Sequence, residues 1–303
     1  MKTWLRAFCI FPAILTLAAP AFSAEPIAAV YARHCASCHG IDRLGGSGPA
    51  LLPENLERLR KPEALKVIAN GRAASQMMAF GDKLSAAEIQ ALTDFVYTPP
   101  ASVPVWGLAE IKASRIENFK AGSLPDTPAF KADLLNLFIV VETGDPHAPL
   151  LDGDSFKPIH RFQTRFALHG GPKFTPDGRY VYFASRDGWI AKFDIWNLKI
   201  THEIRAGINT RNLAVSGDGR YVIVGNYLPQ TLLVLDAADL TPLKLIEAKD
   251  DTGKRSRVSA VYDAAPRKSF IAALKDVKEV WEIPYADDHE PIYPGLVHDY
   301  RMA

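Results

Sequence analysis

The spacing of apolar positions changes near residue 100 and divides the chain into two parts of different character. Before that point, Ile89, Leu92 and Val96 recur every three or four residues, which places them on one face of a helix. Ser85 and Glu88 stand where a capping box would begin that helix. Two further helices are predicted over residues 26–34 and 62–71. The first part of the chain is therefore predicted to be all-α.

After residue 100 the apolar residues form short runs rich in β-branched and aromatic side chains, a pattern typical of strands. The sequence Asp-Gly-Arg-Tyr-Val at residues 177–181 recurs at residues 218–222. The strand-ending aspartates Asp152, Asp194 and Asp236 are each 42 residues apart. A period of about 40–45 residues indicates the blades of an all-β propeller. The alternative, a sandwich with chance similarity between its strands, is less favoured.

Three prolines at positions 99, 100 and 104 separate these two parts, and such a segment forms a stiff, extended connector. Four copies of the repeat account for the chain as far as about residue 285. We divide the chain into a signal peptide at residues 1–24, an α domain at 25–98, a linker and entry to the propeller at 99–130, and a four-bladed partial propeller at 131–303.

The first 24 residues have the pattern of a secretory signal, with Lys2 and Arg6 before an apolar run at residues 7–19. A membrane anchor is the alternative. It is disfavoured because Pro12 and Pro20 interrupt the segment, which is shorter than the roughly 20 residues that span a bilayer. We therefore expect an exported protein without a stable membrane anchor.

Charge adds little to this picture, because 35 basic and 34 acidic residues give a formal net charge of +1. Such a balance gives no reason to expect a nucleic-acid partner. We therefore expect the chemistry to reside in particular residues and not in a strongly charged surface.

The sequence Cys35-Ala-Ser-Cys38-His39 matches the C-x-x-C-H pattern that attaches a c-type haem. Two thiols on one helical turn add to the porphyrin vinyl groups, and the next residue, His39, is placed to bind the iron. Cys9 lies in the predicted signal, so the mature chain keeps only this cysteine pair. A zinc knuckle would need more cysteines, and a redox dithiol would need a βαβ context. We therefore predict one covalent haem c.

The second iron ligand is expected later in the same domain. The segment Met-Met-Ala-Phe at residues 77–80 resembles the Met-Pro-Ala-Phe segment of class I cytochromes c. In that comparison Met77 takes the position of the ligand and Met78 that of the proline. Met77 is the first candidate and Met78 the second. A thioether ligand raises the haem potential and suits electron transfer.

Both halves of the mature chain resemble the cytochrome cd1 family, in which a small cytochrome c precedes an eight-bladed propeller that holds haem d1. The sequence His-Gly-Gly-Pro-Lys-Phe-Thr-Pro-Asp-Gly-Arg-Tyr-Val-Tyr-Phe-Ala at residues 169–184 carries the resemblance, which continues through residues 193–196. Residues 42–56 in the first domain are closer to the maturation proteins of this family than to its nitrite reductase.

The resemblance implies a periplasmic protein of haem d1 biosynthesis that oxidises dihydro-haem d1 to haem d1. In that reaction a propionate side chain becomes an acrylate and the electrons pass to haem c. The resemblance also implies three partners: the tetrapyrrole itself, a periplasmic electron acceptor, and a cytochrome cd1 nitrite reductase that receives haem d1. The sequence assigns no catalytic base.

The same resemblance selects residues for the haem d1 site. His169 lies at the position of the family's proximal iron ligand, so it is the candidate ligand or contact. Haem d1 carries several carboxylates, which the guanidinium fork of arginine recognises well. Arg165, Arg186 and Arg211 lie at corresponding places in the repeats and are the candidates for that role. Solvated loop arginines are the alternative interpretation of all three.

The chain departs from the family in having sequence for four blades, and we expect its reading frame to be truncated. Two other functions stay open from the sequence. One is nitrite reduction, which the residues around Met77 and at 42–56 disfavour. The other is a non-enzymatic electron carrier that binds or delivers haem d1, or a chain that is inactive because it is truncated.

Overall fold

The structure is a computed structural model that describes residues 25–102, 104–289, 291–292 and 297–299, the last three by their backbone alone. The predicted signal peptide lies outside these residues. The described chain forms six α-helices: α1 (Ile27–His34), α2 (Ala36–His39), α3 (Pro53–Leu56), α4 (Lys61–Asn70), α5 (Ala86–Tyr97) and α6 (Leu108–Ala113).

The first five helices build a small domain around α5. Its predicted capping box is confirmed, because the Ser85 hydroxyl accepts from the backbone N–H of Glu88 while the Glu88 carboxylate accepts from that of Ser85. At the other end of α5, Arg43 donates to the carbonyl oxygens of Phe95 and Thr98 at 2.6 and 3.0 Å. A cation at a helix C-terminus is favourable. Thus Arg43 fastens the loop that follows α2 to the last helix of the domain.

The rest of the chain is β-structure. The strands are β1 (Ile116–Glu117), β2 (Leu137–Ile139), β3 (His147–Asp152), β4 (Pro158–Gln163), β5 (Lys173–Phe174), β6 (Tyr180–Ala184), β7 (Trp189–Asp194), β8 (Lys199–Arg205), β9 (Asn209–Val215), β10 (Tyr221–Leu228), β11 (Thr231–Asp236), β12 (Pro242–Glu247), β13 (Val258–Ala264), β14 (Ser269–Leu274), β15 (Val280–Pro284) and β16 (Val297–Asp299).

Within the described residues these strands form four sheets, which we number as blades in chain order. Blade 1 is β2-β3-β4, blade 2 is β5 to β8 with β1 added at its outer edge, blade 3 is β9 to β12, and blade 4 is β13 to β16. The repeated Asp-Gly-Arg segments form the turns before β6 and β10. The four repeats read from the sequence thus correspond to four sheets, antiparallel except that β16 pairs in parallel with β15 in blade 4.

Apolar side chains between neighbouring blades hold the sheets together. Phe162 of blade 1 stacks on Phe193 of blade 2, with ring centroids 4.0 Å apart. Between blades 3 and 4, Trp281 and Phe270 are 0% exposed and pack with Ile223. Because each blade covers the face of the next, the interblade layers form the core of this domain.

The region predicted as a linker contains α6 and β1 and packs on blade 2. Strand β1 pairs antiparallel with β8, and Ile111 of α6 is 0% exposed in the layer between blades 2 and 3. The indole N–H of Trp106 donates to the carbonyl oxygen of Arg205 at 3.0 Å. The connector is therefore anchored to the propeller over part of its length.

The helical domain lies against one edge of the blades. Ala50, Leu52 and Ile208 are each at most 1% exposed and form an apolar cluster that joins the two domains. Beside this cluster, Arg205 donates to the carbonyl oxygen of Leu44. This contact positions residues 44–52 directly above the blades.

No helix in the described ranges combines the length and the apolar character needed to cross a bilayer.

Replacing Phe193 by alanine tests the interblade packing. The ring is fully buried, so the substitution is expected to lower the free energy of unfolding by about 3–5 kcal/mol. Urea denaturation followed by far-ultraviolet circular dichroism measures the change. Phe156→Ala is the matched control, because Phe156 is 72% exposed and its loss is expected to cost less than about 0.5 kcal/mol. Equal losses in the two variants would contradict this account of the core.

Candidate functional site

The cysteine pair lies at the junction of α1 and α2. Cys35 follows the last residue of α1 and is half-buried, whereas Cys38 is exposed within α2. Neither cysteine forms a disulfide. The pair is therefore available to a group that approaches from outside the helical core.

The His39 side chain is oriented for binding a metal through Nε2. Its Nδ1 lies 2.8 Å from the carbonyl oxygen of Pro49, so the Nδ1–H tautomer donates there and Nε2 keeps its lone pair. Burial lowers the pKa of His39, which keeps the imidazole neutral, as a ligand must be. A Cβ on Gly48 would lie 2.9 Å from Cε1 of this ring, so a glycine there makes room for the imidazole.

The thiol chemistry distinguishes between the alternatives left open by the motif. Burial, with a smaller contribution from Cys38, raises the pKa of Cys35 to about 11. A redox dithiol needs a lowered thiol pKa, so this environment disfavours that interpretation. Among the described residues, the group with suitable metal-ligand spacing is Glu142, Asp145 and His147, which includes neither cysteine.

That acidic group is already neutralised. The guanidinium of Arg161 donates to Glu142 at 3.0 and 2.6 Å and to Asp145 at 2.7 Å. The two carboxylates are therefore paired with Arg161, a cationic side chain of the same blade.

The two methionines differ in their surroundings. Met77 is half-buried and packs on the hydrophobic cluster of the helical domain, against which Cys35 also packs. Met78 is 57% exposed, with its sulfur 3.9 Å from Nζ of Lys83. The structure therefore favours Met77 over Met78 as the inward-facing sulfur.

His169 lies at the propeller edge that faces the helical domain. Its Nδ1 lies 2.9 Å from the carbonyl oxygen of Arg211, so this histidine also donates through Nδ1 and keeps a lone pair on Nε2. Burial, together with the charges of Arg211, Arg186 and Arg58, lowers the pKa of His169. The imidazole is thus neutral and suited to bind a metal or accept a proton.

The three candidate arginines are in different environments. Arg165 is engaged with Glu203 at 2.7 and 3.0 Å, and its guanidinium lies 3.9 Å from the ring centroid of Trp189. Arg186 and Arg211 have no carboxylate partner among the described residues. Burial and the charge of Arg211 lower the pKa of Arg186. Arg186 and Arg211 therefore lie near His169, whereas Arg165 is paired with Glu203 of blade 2.

Further cations near this edge were not predicted from the sequence. Two of them, Arg257 and Lys275, lie 5.5 and 5.0 Å from the ring centroid of Tyr227 at the end of β10, and the predicted Arg211 lies 5.3 Å from the same centroid. These residues come from blades 3 and 4, so only the folded arrangement brings them together. The sequence signal that would have found them is a basic residue at the same edge of successive repeats.

A separate cavity of about 690 Å³ lies at the opposite edge of blades 2 and 3. The Asp-Gly-Arg turns line it, and none of the predicted site residues does. Two aspartates of the cavity wall, Asp177 and Asp218, already accept hydrogen bonds from backbone N–H groups within their own turns. The candidate site is therefore the edge beneath the helical domain.

These observations define the class of protein: a c-type cytochrome domain joined to bladed β-sheets, with a histidine and two arginines between them that have no carboxylate partner in the described part of the chain. The chain belongs to the family described as "Cytochrome D1 heme domain", whose model matches residues 132–296. The model described as "Cytochrome C oxidase, cbb3-type, subunit III" matches residues 22–96.

Individual relatives agree with these matches. The chain is 55% identical over 277 residues to "Dihydro-heme d1 dehydrogenase" of Pseudomonas aeruginosa, covering 91% of this chain and 56% of that protein. It is 26% identical to "Nitrite reductase" of Stutzerimonas stutzeri, covering 89% of this chain and 51% of that protein. The chain thus spans about half the length of the curated relatives that it matches.

Among solved structures, the chain is similar to "Dihydro-heme d1 dehydrogenase NirN in complex with DHE". The TM-score is 0.81 at 55% identity, over 88% of this chain and 57% of that one. The predicted fold class and the resemblance to the cytochrome cd1 family are confirmed. Haem c and haem d1, the cofactors predicted from the sequence, are those of the two matched families. The individual haem residues stay predictions.

Replacing Met77 by alanine tests the choice of sulfur ligand. Without the thioether, the reduction potential of the haem-loaded protein is expected to fall, because a methionine ligand raises it. Met78→Ala is the matched control and is expected to leave the potential unchanged, since this side chain is exposed. Spectroelectrochemical titration measures both potentials. A fall only in the Met78 variant would assign the ligand to Met78.

Proposed function

We propose that this chain acts in haem d1 biosynthesis and oxidises dihydro-haem d1 to haem d1. The observation that carries the proposal is the 55% identity, over 91% of the chain, to a dihydro-heme d1 dehydrogenase. A neutral histidine at the propeller edge supports it, together with Arg186 and Arg211, for which the described ranges supply no carboxylate partner; these groups suit a tetrapyrrole that has carboxylate side chains.

The reaction converts a propionate side chain of the substrate into an acrylate. Two carbon–hydrogen bonds break, one carbon–carbon double bond forms, and two electrons and two protons leave the substrate. A c-type haem accepts one electron at a time, so each substrate requires two acceptor turnovers or a second acceptor. The acceptor is expected to be another periplasmic redox protein.

The residues of the propeller edge bind and orient the substrate in this proposal. His169 presents Nε2 to the tetrapyrrole iron, while its Nδ1–H bond to the Arg211 carbonyl oxygen fixes the plane of the ring. Arg186 and Arg211 have no carboxylate partner among the described residues and are assigned to the substrate carboxylates. Arg165 is engaged with Glu203, so we assign it the role of supporting blade 2.

Haem c is assigned to the helical domain, with thioether bonds to Cys35 and Cys38 and with His39 and Met77 as iron ligands. The buried His39 ring, its bond to Pro49 and the space left by Gly48 fit such a group. When bound, haem c supplies a one-electron acceptor next to the propeller edge. We further propose that the protein works in the periplasm and passes haem d1 to a cytochrome cd1 nitrite reductase.

Anaerobic titration of the haem-loaded protein with dihydro-haem d1 tests the proposal. We expect saturable binding, then the spectrum of haem d1 together with reduction of haem c. His169→Ala is expected to weaken binding by about tenfold or more, equivalent to roughly 1.4 kcal/mol. His147→Ala is the matched control, because His147 pairs with Asp145 on blade 1, whereas His169 bonds to Ala184 of blade 2.

The same titration separates the other functions. Binding without oxidation would indicate that the chain is a carrier that delivers haem d1 and not a dehydrogenase. Turnover of added nitrite by the haem d1-loaded chain would indicate that it is a nitrite reductase. An absence of binding would mean that the described blades do not form a tetrapyrrole site.

A further inference from the structure

Two contacts fasten the helical domain to the propeller on either side of His169. In the first, the carboxylate of Glu57 pairs with Arg257, which is also held by Asp276 at 2.7 Å. In the second, Gly144 lies so close to the helical domain that a Cβ there would stand 2.7 Å from the carbonyl oxygen of Ala74. One contact lies on blade 4 and the other on blade 1.

An arginine stands next to each contact. Arg58 follows Glu57 directly, and Arg72 lies two residues before Ala74. Both side chains are exposed, and neither has a carboxylate partner among the described residues. Other arginines of the helical domain differ in this respect, since Arg60 pairs with Glu63 at 3.1 Å and Arg33 pairs with Glu25.

The two arginines act on the propeller residues of the candidate site. Burial lowers the pKa of Arg186, and the charges of Arg211, Arg58 and Arg72 lower it further, so both arginines of the helical domain lie near this side chain. Four guanidinium groups from two domains therefore converge on one edge: Arg58, Arg72, Arg186 and Arg211. Like charges in this arrangement repel one another, and an anion with several charges would offset the repulsion.

We propose that Arg58 and Arg72 bind carboxylates of the tetrapyrrole and complete a ring begun by Arg186 and Arg211. The ligand is then held between the helical domain and the propeller. The inference rests on the proposed function for placing a tetrapyrrole at this edge. It adds that the domain assigned to electron acceptance also recognises the substrate.

This arrangement links ligand binding to the position of the helical domain. A tetrapyrrole that bears several carboxylates contacts cations of both domains, so it favours the state in which the domains are docked. A ligand with fewer carboxylates contacts fewer of the four arginines. The number of carboxylates, and not only the iron, therefore contributes to selection of the ligand.

Binding of iron coproporphyrin III, which has four carboxylates, tests the inference by absorbance titration of the haem c-loaded protein. We expect the double variant Arg58→Ala, Arg72→Ala to weaken binding by about 100-fold, from about tenfold for each charge-assisted pair. Arg60→Ala is the matched control. It removes the same charge from the same domain, but its side chain is 82% exposed and pairs with Glu63, so binding should not change.

Haem b, which has two propionates, provides the second measurement. The double variant is expected to weaken haem b binding by less than it weakens iron coproporphyrin binding, because fewer carboxylates are available to contact the removed arginines. The corresponding lysine variants keep the charge without the fork and are expected to restore part of the affinity. Higher salt is expected to reduce the difference between the wild-type chain and the double alanine variant.

Wild-type affinity in the double alanine variant, with weakened binding in Arg186→Ala, Arg211→Ala, would overturn this inference and leave the proposed function standing. Equal losses for iron coproporphyrin and haem b would also overturn it, because they would indicate a structural role. A larger loss of affinity for iron coproporphyrin than for haem b in the double alanine variant supports the inference. This holds whether or not dihydro-haem d1 is oxidised. The titration with dihydro-haem d1 decides the proposed function separately.

Discussion

The contact between residues 44–52 and the edge of blades 2 and 3 is the interaction on which the rest of the arrangement depends. Ala50 and Leu52 close over Ile208, and Arg205 donates to Leu44 beside them. The apolar part excludes water, and the hydrogen bond fixes the orientation, which burial alone does not. Because this contact seats the helical domain, the ion pair between Glu57 and Arg257 can form on blade 4.

Charge is distributed unevenly between the two edges of the blades. At the edge with the Asp-Gly-Arg turns, Arg179 pairs with Asp126 and Asp194, so acidic and basic groups balance. At the edge beneath the helical domain, Arg186 and Arg211 have no acidic partner among the described residues. Solvent reaches both side chains and screens part of their mutual repulsion, so the fold tolerates them. The chemical asymmetry, and not the volume of a cavity, identifies the edge at which a polyanion would bind.

Local features of the fold were predictable because they depend on residues close in sequence. The capping box at Ser85 and the four repeats were visible in this way, and so was the cysteine pair. The convergence of Arg58 and Arg72 on Arg186 was not visible, because it depends on how one domain docks on the other. Likewise, Arg165 could not be separated from Arg186 by sequence, since its partner Glu203 lies 38 residues away on β8.

The short loop that contains Pro49 and Ala50 contacts both the His39 side chain and the propeller. Pro49 accepts the hydrogen bond of His39, and the next residue, Ala50, is sealed against Ile208 of the propeller. A hydrogen bond from Nδ1–H makes the other imidazole nitrogen a stronger donor to a metal. If His39 binds the haem iron, as proposed, the electron affinity of that iron would be adjusted by the same stretch of backbone that holds the helical domain against the blades. Separation of the helical domain from the blades would then be expected to change the midpoint potential of the haem, because one loop makes both contacts.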